Sequence, residues 1–299
     1  MPHRLKKILR AVLPIIVSIA LLFWLFQSLN IKQIIEITVQ IKLPYLFCAA
    51  GAMAVFFILG ALRFVLLLRP RISLSLMDSV KLNFSMVIST HFLGTLSEAL
   101  RVIYLTQNFN IKWKDALAVH ISDRLLSVWM LCLALVVFAP LYFHDTLSLF
   151  LLGLIAIGLI ISLFLSTQTF WPNWIASTMM FFASSLTGWR NILKQLSCIV
   201  ASMIMTALAL WIISYSMDIP MPYTLSLAIA PIAILASLVP FTYAGLGSRE
   251  AALAYVFPLV SAVTKEQAFT ISIALGASYF LSSLPGIFSL PKLIKISKS

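Results

Sequence analysis

Six stretches of this chain are apolar over the length needed to cross a bilayer: roughly 11–29, 43–68, 117–139, 147–166, 194–216 and 267–290. About 20 apolar residues span the hydrocarbon core as a helix. Within lipid every backbone N–H and C=O must be satisfied inside the protein, so each such run is a helix. The pattern predicts an all-α integral membrane protein. Composition agrees: 62% of residues are hydrophobic and only 10% are charged, with a mean hydropathy of +1.05. Soluble domains carry about 25% charged residues, and a tenth is too few to cover a water-facing surface. No polar stretch is long enough to form a second domain, so residues 1–299 read as one polytopic membrane domain. The apolar run from Ala11 to Phe26 follows a basic segment and lacks a small-residue cleavage site; it is expected to be an uncleaved first span.

Two further stretches are apolar but interrupted. The first, about 74–107, holds His91, Gly94, Thr95, Ser97, Glu98 and Arg101; the second, about 222–263, holds Pro231, Pro240, Gly245, Gly247, Arg249 and Glu250. Charge placement bears on whether they cross. If both return to the side they entered, the N-terminal cluster, Arg69/Arg71, Lys112/Lys114, Arg190/Lys194 and the tail Lys292/Lys295/Lys298 all share one side. The other side keeps Lys32, Lys42, Lys265 and the 140–146 turn. Cations concentrate on the cytoplasmic side. The expectation is six full spans plus two re-entrant helical hairpins, in the cytoplasmic membrane, with both termini cytoplasmic. The same rule accounts for the net charge of +12 without nucleic acid. Between the fourth and fifth spans, Trp171, Trp174 and Trp189 suggest an interfacial helix over 168–189; a short seventh span is the alternative.

The interrupted stretches resemble each other. Phe92-Leu93-Gly94-Thr95-Leu96-Ser97-Glu98-Ala99-Leu100-Arg101 aligns with Tyr243-Ala244-Gly245-Leu246-Gly247-Ser248-Arg249-Glu250 when one residue is inserted, pairing Gly94 with Gly245 and Glu98 with Glu250. Lys114-Asp115 then falls near Lys265-Glu266. The offset is half the chain, which suggests repeats of about 1–150 and 151–299. Three spans lie between the stretches, so they enter from opposite faces: an inverted repeat, in which ligands bind where broken helices meet. Thr95 with Glu98, and Gly247 with Glu250, have capping-box spacing. Each break therefore predicts a helix N-terminus, which favours an anion.

Charges in or beside apolar segments cost at least about 2.5–3.5 kcal/mol at the bilayer centre, so they face cavities or pair. These residues are Glu98, Arg101, Asp123, Arg124, Arg249 and Glu250. Glu98 and Arg101 are spaced to pair within one helix, whereas Asp123 and Arg124 each need a partner elsewhere. Arg63 and Lys81, near span ends, read as residues that hold helices together or snorkel to the interface. His91 and His120 read either as proton relays or as packed, hydrogen-bonded side chains. Cys48, Cys132 and Cys198 lie inside apolar runs with no CxxC, so neither a disulfide nor a metal site is expected. Walker A, HExxH and nucleophile-elbow motifs are absent, as is a dinucleotide fingerprint, and no cofactor is expected.

The segment Leu235–Leu253, with Pro240, Gly245, Gly247 and the run Arg249-Glu250-Ala251, resembles the signature of the flippase-like family, also called the lysylphosphatidylglycerol synthase transmembrane family. The family's first motif matches Gly94, Glu98 and Arg101, but His91-Phe92-Leu93 stands where a Pro usually precedes the Gly. Arg124 matches a further family arginine, and Ser127 stands where an acidic residue often follows it. The resemblance covers most of the chain and implies lipid translocation rather than catalysis. Aminoacyl transfer in the synthases belongs to a separate soluble domain, which is not expected in this chain. The expected ligand is a membrane lipid with an anionic or zwitterionic headgroup. Its site would be drawn from Glu98, Arg101, Asp123, Arg124, Gly245, Gly247, Arg249 and Glu250. Arg101, Arg124 and Arg249 would line a headgroup cavity, with Glu98 or Glu250 as proton carrier. The alternatives are the membrane subunit of a phosphatidylglycerol lysyltransferase system, beside a separate aminoacyl or glycosyl transferase, and a permease for an amphipathic solute.

Overall fold

The structure is a computed structural model that describes residues 3–68, 73–109, 111–143, 153, 189–239 and 242–290. The span expected over 147–166, nearly all of the 168–189 segment, Arg69/Arg71 and the tail lysines lie outside the described residues. Ten α-helices are described: α1 His3–Gln27, α2 Ile31–Val39, α3 Leu43–Leu68, α4 Leu76–Leu93, α5 Glu98–Phe109, α6 Trp113–Phe138, α7 Trp189–Ser216, α8 Tyr223–Ser237, α9 Ser248–Val260 and α10 Lys265–Ser283. No strand occurs among the described residues.

Three of these helices, α3, α6 and α7, are long and apolar enough to cross a membrane, and α1 with α2 forms a pair bent by 98°. The bend follows from local chemistry. Asn30 leaves the helix, and its side chain accepts from the Lys32 and Gln33 N–H groups at 3.1 and 3.3 Å, starting α2 in a new direction. Ser75 caps α4 by accepting from the Asp78 N–H at 3.1 Å. Thr264 and Gln267 form a reciprocal box at the start of α10. A turn separates α10 from a last helical segment at 286–290.

The two interrupted stretches are each two helices joined by a break. A 3-10 turn, Gly94–Ser97, joins α4 to α5. Residues 238–247 join α8 to α9, with Ala244, Gly245 and Gly247 at φ 56, 78 and 86°. Such backbone is left-handed and disfavours a Cβ, which is why glycine recurs here. Both breaks contain the same bond: Ser97 Oγ donates to the Gly94 carbonyl (2.8 Å) and Ser248 Oγ to the Gly245 carbonyl (3.1 Å).

The central pair is α3 and α7, joined through Ala49, Ala52, Met53, Met203, Ala207 and Leu210, all at most 7% exposed. Small residues let helix backbones approach closely where lipid offers no hydrophobic contrast. Polarity runs inside out. Ile16, Ile19, Phe23, Val39, Phe47 and Phe288 are exposed, whereas Arg101, Asp123, Arg249 and Glu250 are buried. With lipid as the outer solvent, that is the arrangement of lowest cost. At one end of the bundle, three contacts tie loops together: the Asn30 N–H donates to Glu266 (3.2 Å), Lys42 pairs with Asp218 (3.3 Å), and Tyr142 bonds Thr224.

Candidate functional site

The two breaks meet. A Cβ added to Gly94 would stand 2.9 Å from the Tyr243 ring, so the absent side chain is what seats that ring. The Tyr243 hydroxyl donates to the His91 carbonyl (3.4 Å), and the Tyr243 N–H donates to Ser18 Oγ (2.7 Å) on α1. Gly247 also packs on α1, where a Cβ would lie 3.0 Å from the Ser18 carbonyl oxygen. Both breaks therefore sit beside the middle of α1's apolar run rather than at a bundle end.

Beside this junction lies a cavity of about 740 Å³. Four arginines line it: Arg63 of α3, Arg101 of α5, Arg124 of α6 and Arg249 of α9. Asp123, His91, Asn83 and Tyr279 also line it, and Phe56, Phe57, Phe92 and Phe280 supply much of its apolar wall. Ala244 and Leu246, which flank Gly245, close it from the second break. Ala244 is held in the left-handed region, a conformation that costs a non-glycine residue about 1–2 kcal/mol.

Asp123 is the hub of the first charge cluster. Its carboxylate meets Arg63 at 2.8 Å and Arg101 at 3.1 Å. Arg101 is fully engaged: besides Asp123 it donates to Asn83 Oδ1 (3.0 Å) and Met86 Sδ (3.2 Å), and its guanidinium lies 4.2 Å from the Phe64 ring centroid. Arg124 turns to Glu98, which also meets His120 Nε2 at 2.9 Å. Arg124 and Glu98 retain 39% and 34% exposure of their side chains, the most open pair of the site.

The second cluster is sealed. Glu250 is 0% exposed and accepts from Arg249 Nη2 (2.6 Å) and Nε (3.1 Å), from Ser272 Oγ (3.2 Å) and from the Gly247 N–H (2.7 Å). Gly276 of α10 makes room, since a Cβ there would fall 2.5 Å from Arg249 Nη2.

The expected cavity arginines Arg101, Arg124 and Arg249 all reach this space, and Asp123 and Arg124 find partners on other helices, as their adjacency required. One expectation needs correction: Glu98 and Arg101 do not pair with each other, because α6 offers each a nearer partner. The capping box expected between Thr95 and Glu98 rests on a side chain outside the described residues. At the second break the box closes between Glu250 and the Gly247 N–H, so that helix start already holds an anion of its own. Glu250 is unexposed and keeps all four of these donors. Of the two roles expected for Arg63, it takes helix–helix tying rather than snorkelling: its side chain is 14% exposed and it holds Asp123 of α6. Lys81 is exposed beside Asp78, as expected. Arg63, Asn83, Ser272, Gly276 and Tyr279 were not singled out as site residues. Arg63, a cation within an apolar run, carried the one usable signal.

A family model described as the lysylphosphatidylglycerol synthase TM region matches residues 11–286. No curated protein matches the chain.

Proposed function

The chain belongs to the lysylphosphatidylglycerol synthase transmembrane-region family, and on that premise we propose that it moves a phospholipid or a lipid-linked anionic headgroup across the cytoplasmic membrane. The observation that carries the reading is the cavity itself: four arginines collected at the junction of two broken helices, inside a bundle whose outer surface is apolar. Guanidinium groups bind phosphate through a planar fork and stay charged when desolvated. The headgroup would occupy the cavity near Arg124 while the acyl chains remain in the bilayer. Arg63 and Arg101, tied to Asp123, and Arg249, tied to Glu250, would supply field rather than direct contacts.

The finer topology is part of the proposal: six full spans, two re-entrant hairpins formed by α4–α5 and α8–α9, and inverted repeats. The matching serine bonds of the two breaks support common descent of the halves. The contacts Asn30–Glu266, Lys42–Asp218 and Tyr142–Thr224 join loops that the six-span arrangement assigns to one side, opposite the cytoplasm. A second reading rests on the family's description: the chain would serve as membrane subunit beside a separate aminoacyl transferase. Reconstitution separates the two. Purified protein in proteoliposomes containing fluorescent-headgroup phosphatidylglycerol should expose inner-leaflet probe to an external quencher, with no other protein present. Movement no faster than in empty liposomes sinks the transport reading.

A further inference from the structure

The two charge clusters differ in how their carboxylates are held. Glu250 receives four donors and no solvent, so nothing entering the cavity can take Arg249 from it without stranding a buried carboxylate. Glu98 has two partners, Arg124 and His120, and a third of its side chain is open. Arg124 is equally open and lines the cavity, while Glu98 stands behind it. Charge sums agree. Three arginines, Arg63, Arg101 and Arg124, face two carboxylates, Asp123 and Glu98, in the first cluster, whereas Arg249 and Glu250 cancel in the second. The place where an anion gains attraction is the first cluster.

We propose that Glu98 is a resident anion which the incoming phosphate displaces from Arg124, and that this exchange loads one proton onto the Glu98–His120 pair. The proposal rests on the transport reading only for the identity of the phosphate carrier. Arg124 cannot serve a phosphodiester fully while bonded to Glu98. When it turns to the phosphate, Glu98 keeps His120 alone. His120 is 6% exposed, and its Nδ1 is buried without a hydrogen-bond partner. Facing a carboxylate, Nε2 carries the hydrogen that Glu98 accepts. A carboxylate left with one donor in a partly desolvated site is costly, and a proton from water removes the imbalance. It resides on the carboxylate or on the imidazole, and belongs to the coupled pair. When the anion leaves, Arg124 returns to Glu98 and the proton departs. Among the described residues Arg101 also attracts Glu98, but from a distance and without an ion pair to it. Asp123 is held by Arg63 of α3 and Arg101 of α5. The helix α8, which packs on α6, brings no Asp, Glu, His, Lys or Arg. Anion and proton would thus be carried together, and a proton gradient would supply direction to a chain without an ATP motif.

The test is calorimetric titration of the full chain, in zwitterionic nanodiscs, with dihexanoyl phosphatidylglycerol and separately with inorganic phosphate. Each is measured in two buffers of different ionisation enthalpy, between about pH 6.5 and 8, where imidazole groups titrate. The expected result is uptake of about one proton per anion bound. Glu98→Gln should bind the anion several-fold tighter, because the competing charge is gone, and should take up none. His120→Gln, which retains a donor to Glu98, should lower the uptake. Uptake with inorganic phosphate but no binding of the short-chain lipid keeps the exchange and overturns the lipid reading. Lipid binding without uptake, or with uptake unchanged in Glu98→Gln, overturns the exchange and leaves the lipid reading standing. Binding of neither anion also overturns the exchange.

Discussion

Asp123 keeps two desolvated guanidiniums from facing each other unscreened. Removing one member of a buried ionic network costs about 3–5 kcal/mol, because the remaining charges stay buried without a counterion. Asp123→Ala is therefore expected to lower the thermal midpoint of the detergent-solubilised protein steeply, with Asp123→Asn less severe. Arg124→Ala removes the most open arginine of the site and leaves Glu98 able to face solvent. It should fold near the wild-type midpoint and lose headgroup translocation. If the two variants shift the midpoint equally, the division between scaffolding and ligand-facing charge is wrong. At this scale the sequence revealed which residues matter, since a charge within an apolar run is costly and therefore visible. It did not reveal who pairs with whom. Arg63 reaches Asp123 across 60 residues and Arg124 reaches Glu98 across 26, so local spacing favoured a Glu98–Arg101 pair that packing overrules.

The breaks belong to the scale of elements, and both were legible because glycine, serine and charge interrupt apolar runs there. Their mutual contact was not, since it depends on how two hairpins converge. Gly94→Ala carries two separable penalties: about 1–3 kcal/mol for an alanine at φ 56°, ψ −139°, a region nearly restricted to glycine, and overlap with the Tyr243 ring, 2.9 Å from the new methyl group. A double-mutant cycle with Tyr243→Ala should recover the steric part and leave the conformational part. The readout is the thermal midpoint, beside translocation in proteoliposomes. Strict additivity of the two substitutions would deny that ring and glycine touch. The Asn30 bend after α1 was missed for a related reason: an apolar run has no marker of direction, and a single cap redirects it by 98°.

For the whole molecule, class and family could be read from apolar length and the Gly245–Ala251 signature, while topology rested on charge asymmetry alone. Reporter fusions after Lys114 and after Lys298 should both report cytoplasm. A thiol introduced as Asp218→Cys should react with a membrane-impermeant reagent added to intact cells, because its partner Lys42 and the Asn30–Glu266 contact share that end. Protection of this thiol, together with a periplasmic signal from either fusion, would refute the six-span arrangement.

The seat of Tyr243 on Gly94 also has a mechanical consequence. One aromatic ring is bonded to the carbonyl that precedes the first break and grows from the backbone of the second, while its own N–H is anchored to α1. Neither hairpin can slide past that ring independently. Withdrawal of one drags the other, and the tether to Ser18 gives the pair a fulcrum. If the two hairpins enter from opposite faces, as proposed, such a linkage would act as a seesaw, and widening the vestibule on one side of the bilayer would narrow it on the other.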